Sequence, residues 1–197
     1  MTNAIFPFDS KITYEQRKKA MMQEPHLIWL TGLSGSGKST LALRLEHYFF
    51  DKGFKVFILD GDNVRMGLCK GLGFSEDDRK ENLRRVGEVA RLMLDAGLIV
   101  ISAFISPCED DRMAIKEMVG EQRFIEVYVN CSLQKCEERD VKGLYAKARQ
   151  GIIPHFTGIS APYDPPVSPA IELMTAEETV EESVRKIVEF VGPLISV

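Results

Sequence analysis

Residues 32 to 40 read Gly32-Leu33-Ser34-Gly35-Ser36-Gly37-Lys38-Ser39-Thr40 and fit G-x-x-x-x-G-K-[ST], the phosphate-binding loop (P-loop) pattern. No other stretch constrains the fold as much, because this loop works only between a strand and a helix. Both flanks are in place. Leu27-Ile28-Trp29-Leu30 is apolar and reads as a buried strand, and Leu41 to Phe50 has the spacing of an amphipathic helix. Gly32, Gly35 and Gly37 let the backbone turn tightly and aim several N–H groups into one concavity. The N-terminus of the following helix adds its positive dipole end. Lys38 supplies a mobile cation for β- and γ-phosphates, and Ser39 a hydroxyl ligand for Mg²⁺. A serine- and glycine-rich surface loop would require neither flank.

The rest of the chain alternates between strand and helix patterns. Lys55 to Leu59 is β-branched and aromatic, and it runs into Asp60-Gly61-Asp62-Asn63. Ser75-Glu76-Asp77-Asp78 opens a long helix like a capping box. Its apolar stripe is Leu83, Val86, Ala90, Met93 and Leu94, and Gly97 ends it. Arg79 and Asn82 are three apart and are expected on one exposed face of its first turns, either as an anion site or as solvated residues. Leu98 to Phe104 is apolar on both faces, as a parallel strand between helices tends to be. A helix from Asp110 to Val119, a strand from Phe124 to Val129 and a short helix from Ser132 to Glu138 follow. Residues 151–169 carry many prolines and little periodicity, which in a compact domain points to a functional loop or lid. Ile171 to Met174 makes a last strand, and Thr175 with Glu178 reads as a capping box for a final helix to about Val191.

The expected fold is therefore α/β. It is a three-layer sandwich of the P-loop NTPase type, with a five-stranded parallel sheet, helices on both faces and right-handed crossovers. Residues 1–25 form an N-terminal arm and 26–197 a single domain, with a lid region at about 139–169. Acidic residues at the carboxyl ends of its strands face the ligand crevice. The balance of 25 Lys+Arg against 29 Asp+Glu gives a net charge of −4, which excludes a general basic surface for nucleic acid. No apolar run approaches the ~20 residues of a membrane span. The four cysteines show no zinc-like or C-x-x-C spacing and read as reduced thiols, so a cytoplasmic location is expected.

With these pieces in hand, the chain resembles the adenosine 5′-phosphosulfate kinase (adenylyl-sulfate kinase) family over nearly its whole length after about Ile28. The resemblance rests on Gly32 to Thr40, Asp60-Gly61-Asp62-Asn63-Val64-Arg65, Gly73-Phe74-Ser75, Asp78-Arg79 with Asn82 to Arg85, and Phe104-Ile105-Ser106-Pro107. It continues through Arg139 to Tyr145, Lys147-Ala148-Arg149, and Phe156-Thr157-Gly158-Ile159 with Pro162-Tyr163. It implies transfer of the ATP γ-phosphate to the 3′-hydroxyl of adenosine 5′-phosphosulfate, with ATP and that acceptor as small-molecule partners, Mg²⁺ as cofactor, and a homodimer. Asp164 and Ala170 stand where the family pattern has glutamate and Pro-Glu.

The same resemblance implies roles for single residues. Gly32 to Thr40 and Arg149 bind the nucleotide, and Ser39 and Asp60 hold the metal. Asp62, Asn63, Arg65, Phe74, Arg79, Asn82, Ile105, Ser106, Lys142 and Phe156 line the acceptor site. Phe74 and Phe156 look like rings that sandwich the adenine, against the alternative that each packs in a core. Lys38, Asp62 and Ser106 are the candidate catalytic residues. Asp62 would accept or orient the hydroxyl proton. A serine at the position of Ser106 is described in the family as a phosphoserine intermediate, yet Pro107, Cys108 and Glu109 offer it no obvious base, and in-line transfer needs none. A kinase for shikimate, gluconate or a nucleotide would share the fold but not Asp62-Asn63-Val64-Arg65 with Arg79 and Asn82. A nucleotide-dependent switch would want a guanine-reading N-K-x-D motif, which is absent.

Overall fold

The computed structural model describes residues 10–140 and 142–197. The first nine residues of the expected arm, and Val141 within the lid region, lie outside the described residues. The elements run α1 (Tyr14–Met21), β1 (Leu27–Thr31), α2 (Lys38–Asp51), β2 (Val56–Asp60), α3 (Gly61–Met66), α4 (Glu76–Asp95), β3 (Ile99–Ala103), α5 (Glu109–Val119), β4 (Phe124–Asn130), α6 (Leu133–Arg139), α7 (Leu144–Arg149), β5 (Ile171–Met174) and α8 (Val180–Ile195). Among the described residues the strands form one five-stranded sheet in the order β2-β3-β1-β4-β5, and every pairing is parallel. No helix among them is long and apolar enough to cross a membrane.

The sheet is apolar on both faces because helices cover both. Strand side chains alternate, so Ile28 and Leu30 point one way and Leu27 and Trp29 the other. The first pair packs with Leu41 and Leu45 of α2 and Ile187 of α8. The second packs with Leu83, Val86 and Ala90 of α4 and Ile115 of α5. A third, smaller cluster gathers Cys131, Cys136, Tyr145, Ala148 and Phe156, with Leu33 of the P-loop against it. The expected lid region therefore carries a core of its own that abuts the nucleotide loop.

Local signals set the element ends. Ser75 caps α4 by accepting the Asp78 N–H. On α1, Thr13 and Gln16 form a reciprocal capping box. The expected cap of the last helix is corrected. Thr179 and Glu182 make the capping box of α8, not Thr175 and Glu178, and the helix continues past Val191 to Ile195. Thr175 is instead buried, and its hydroxyl donates to the Ser36 carbonyl at 2.8 Å. The expected sharing of one exposed face by Arg79 and Asn82 is corrected as well. Asn82 is 3% exposed and faces inward, on the side of Leu83 and Val86.

Candidate active site

Position 32 shows why the loop begins with glycine. Its φ is +152°, and a Cβ there would meet the Val129 carbonyl oxygen at 2.5 Å. Gly37 caps α2 at φ +107°, a conformation that costs glycine little. Gly35 approaches Cys136 of α6, where a Cβ would lie 3.0 Å from the Cys136 carbonyl oxygen. Three of the loop carbonyls are tied by later residues. Tyr145 Oη donates to the Ser34 carbonyl at 2.8 Å, the Arg139 guanidinium reaches the Gly35 carbonyl at 3.4 Å, and Thr175 holds that of Ser36.

Lys38 is buried, and its ammonium donates to the carbonyls of Gly32 at 2.9 Å and Leu33 at 2.7 Å. Burial pulls its pKa down to about 8, opposed in part by Cys136 and Asp60. Ser39 Oγ donates to Asp60 Oδ2 at 2.8 Å. The other Asp60 oxygen accepts the Asp62 N–H at 3.0 Å and caps α3. Asp60 thus serves as a helix cap and also as a partner of the P-loop serine. Thr40 and Asn63 are exposed, on the first turn of α2 and on α3.

Asp62 forms an ion pair with Lys142 from the connection between α6 and α7. Arg65 donates to the Gly73 carbonyl at 2.8 Å, and its guanidinium lies 4.5 Å from the centre of the Phe74 ring. Phe74 is 62% exposed, so one face rests on a cation while much of the ring remains open. Arg79 donates to the Phe74 carbonyl at 2.9 Å, to Thr157 Oγ1 at 2.7 Å and to the His155 carbonyl. It therefore joins the two segments that carry Phe74 and Phe156. Burial and the neighbouring positive charge of Arg65 lower its pKa. Phe156 is buried and packs edge-on to Tyr145 with ring centres 5.0 Å apart, so it combines a core contact with its place beside Thr157. Inside this wall the Oδ1 of Asn82 is buried and has no hydrogen-bond partner among the described residues.

Ser106 lies in the turn after β3, bound on several sides. It is 2% exposed, its Oγ donates to Thr31 Oγ1 at 2.9 Å, and it accepts the Trp29 Nε1–H at 3.0 Å. Its φ of +39° is unusual for a serine and is held by the surrounding bonds. No carboxylate or imidazole touches that hydroxyl among the hydrogen bonds of the described residues. Ile105 stands beside it, with its carbonyl accepting from Thr31 at 2.8 Å. Arg149 sits on α7 and pairs with Glu137 of α6.

The P-loop, the two aspartates and the arginine-aromatic wall thus converge at the carboxyl ends of β1, β2 and β3. Sequence reasoning left Arg139 and Tyr145 without roles and misread Thr175. The cluster of charged and aromatic residues at 139–149 was the available signal.

The chain is similar to known proteins over most of its length. The family model described as adenylylsulphate kinase matches residues 24–174. The adenylyl-sulfate kinase of Staphylococcus epidermidis is 51% identical over 189 residues, 96% of this chain and 95% of that protein. That of Bacillus pumilus is 53% identical over 183 residues, 93% of each. Among solved structures, the Mycobacterium tuberculosis APS kinase CysC in complex with AMPPNP and APS superposes with a TM-score of 0.83 at 43% identity, covering 86% of this chain and 98% of that one. The chain is a kinase and belongs to the adenylylsulphate kinase family.

Proposed function

We propose that this chain transfers the γ-phosphate of ATP to the 3′-hydroxyl of adenosine 5′-phosphosulfate, forming 3′-phosphoadenosine 5′-phosphosulfate and ADP, the activation step of sulfate assimilation. The observation that carries the reading is the double use of Asp60. One of its oxygens meets Ser39 at the foot of the P-loop, and the other fixes the backbone of Asp62. The partner of the P-loop serine and the candidate base are therefore two residues apart in one turn. Phosphoryl transfer needs this kind of placement more than it needs covalent chemistry.

On this reading Lys38 leaves the carbonyls of Gly32 and Leu33 to meet the β- and γ-phosphates. Asp62 exchanges Lys142 for the acceptor hydroxyl and orients it in line. Arg65, Arg79 and Lys142 face the phosphosulfate, Asn63, Ile105 and Ser106 complete the wall, and Phe74 stacks on the adenine with Phe156 behind it. Arg149 lies toward the nucleotide base and is freed by opening its pair with Glu137. The segment at 139–169 covers the site and excludes water during transfer.

Ser39 and Asp60 suit Mg²⁺, since hard oxygen donors 2.8 Å apart match its preference, and Mg²⁺ keeps waters and substrate phosphates as its other ligands. Among the described residues no group of three or more His, Cys, Asp or Glu is gathered to hold a metal, which fits a cation shared with the nucleotide. Bound there, Mg²⁺ would neutralise charge on the phosphates.

We further propose a cytoplasmic enzyme, which suits its four free thiols, and a homodimer in solution, to be checked by light scattering. An assay of ADP release with a panel of acceptors tests the function. Adenosine 5′-phosphosulfate gives rapid release, while shikimate, gluconate and nucleoside monophosphates stay at the buffer rate. Release with adenosine 5′-phosphosulfate at the buffer rate defeats the reading.

A further inference from the structure

Arg112, on α5, is 1% exposed although it carries a full charge. Its Nε donates to Glu126 Oε1 of β4 at 2.9 Å. Nη1 donates to the Ser106 carbonyl at 2.8 Å, and Nη2 to the Asp164 carbonyl at 2.8 Å and to the Glu109 carboxylate. The guanidinium also lies 6.0 Å from the centre of the Tyr163 ring. One buried cation thus touches α5, β4, the turn after β3 and the segment that follows Phe156 and Thr157.

Glu109 and Glu126 balance the charge, and the remaining N–H groups, which burial obliges to find acceptors, are spent on the carbonyls of Ser106 and Asp164. Those carbonyls belong to the two segments that carry Ser106 and Phe156. Other bonds reinforce the same junction. The Asp164 N–H donates to the Pro107 carbonyl at 2.8 Å, and Tyr163 Oη lies 3.0 Å from Thr31 Oγ1, which in turn accepts from Ser106 Oγ. Ser106 is therefore held at its hydroxyl by Trp29 and Thr31 and at its carbonyl by Arg112, in a backbone conformation that serine rarely adopts alone.

We infer that Arg112 is a positioning residue for the acceptor: it fixes the turn at Ser106 and the segment at Asp164 relative to each other, and so sets the spacing between two walls of the acceptor site. The inference rests on the acceptor-site reading proposed above. Only a guanidinium fits the role, because its fork presents several donors in one plane, whereas an ammonium is a single point of charge.

The test compares Arg112→Lys with Glu126→Gln. Arg112→Lys keeps the charge but cannot bridge both carbonyls. It is expected to raise the KM for adenosine 5′-phosphosulfate about 10- to 100-fold, the upper figure being the cost of a roughly 1 Å misplacement remote from the chemistry, and to leave the KM for ATP within about twofold. Glu126→Gln removes the counter-charge but leaves both carbonyl bonds, and it should leave both KM values near wild type. Should Arg112→Lys not fold, the neutral pair Arg112→Gln with Glu126→Gln carries the same expectation. An unchanged acceptor KM in the folded variant overturns the inference. So does an equal rise for both substrates, or a rise in Glu126→Gln as large as in Arg112→Lys. If wild type itself shows no turnover with adenosine 5′-phosphosulfate, the acceptor-site reading has failed instead.

Discussion

Lys142 and Asp62 meet as an ion pair across 80 positions of sequence, joining α3 to the connection between α6 and α7, and both side chains are well exposed. An exposed pair of this kind contributes at most about 1 kcal/mol, so it can open at little cost when a better partner arrives. The carboxylate is thereby held in place and still available. Replacing Asp62 with Asn keeps the shape and removes the proton acceptor. It is expected to lower kcat by about 100-fold or more, the scale of general base loss, with little change in thermal unfolding. Lys142→Ala should instead raise the acceptor KM more than it lowers kcat. Steady-state kinetics on both variants check the division.

The buried ammonium of Lys38 predicts a pH dependence. Its pKa is about 8, below the ordinary value of 10.5, because burial disfavours the charged form. The cation is present below that pH and lost above it. The kcat/KM for ATP should therefore hold up to about pH 8 and fall on the alkaline side. Bound phosphates favour the ammonium, so kcat itself should hold to higher pH. In the free enzyme the same shift costs stability below pH 8, and the cost fades between pH 8 and 10.5, the range in which the unfolded chain keeps a proton that the folded one has lost. Lys38→Met should abolish the limb and lower kcat by about 100- to 1,000-fold, as loss of one preorganised donor does. A pH–rate series on both proteins reads the result.

The two rings should respond differently. Phe74 is exposed over a guanidinium, so Phe74→Ala should leave stability nearly unchanged while weakening the acceptor by ~1–3 kcal/mol, the value of a base stacked on an aromatic ring. Phe156 is packed against Tyr145, so Phe156→Ala should also destabilise the fold, by about 3–5 kcal/mol. Thermal unfolding and acceptor binding by calorimetry, measured on the same samples, separate the two effects.

At Gly32 an alanine would press its methyl group into the backbone of β4, 2.5 Å from the Val129 oxygen. That oxygen is backbone and cannot step aside as a flexible side chain could. Gly32→Ala is expected to abolish tight nucleotide binding even where the chain still folds. Gly37→Ala meets no atom within 4 Å but takes on a φ of +107°, so it is strained without a clash and should be the milder variant. Titration with a fluorescent ATP analogue ranks them.

Much of the architecture was legible in the sequence because it is written in local terms. Alternating apolar strands, glycines at turns and a phosphate-loop pattern require no knowledge of distant contacts, and Ile28, Trp29 and Lys38 lie where those signals place them. The misses share a cause. Thr175-x-x-Glu178 and Thr179-x-x-Glu182 are equally good capping boxes, and only the burial of Thr175 against the Ser36 carbonyl decides between them. Arg112 and Arg139 look like any arginine on an amphipathic helix, since what distinguishes them is the carbonyls they reach across the fold. Asn82 falls one residue to the inner side of a helix whose stripe begins at Leu83, a difference too fine for periodicity. The partner of the Ser106 hydroxyl was likewise out of reach of local reasoning, since it is a tryptophan 77 residues earlier.

Three carbonyls of the P-loop are fastened by Arg139, Tyr145 and Thr175, all of which follow it by a hundred residues or more. During synthesis the signature for gripping a triphosphate emerges early, but the last of its ties waits until β5 and Thr175 have emerged. A nascent chain halted before that point owns the motif without all of its supports.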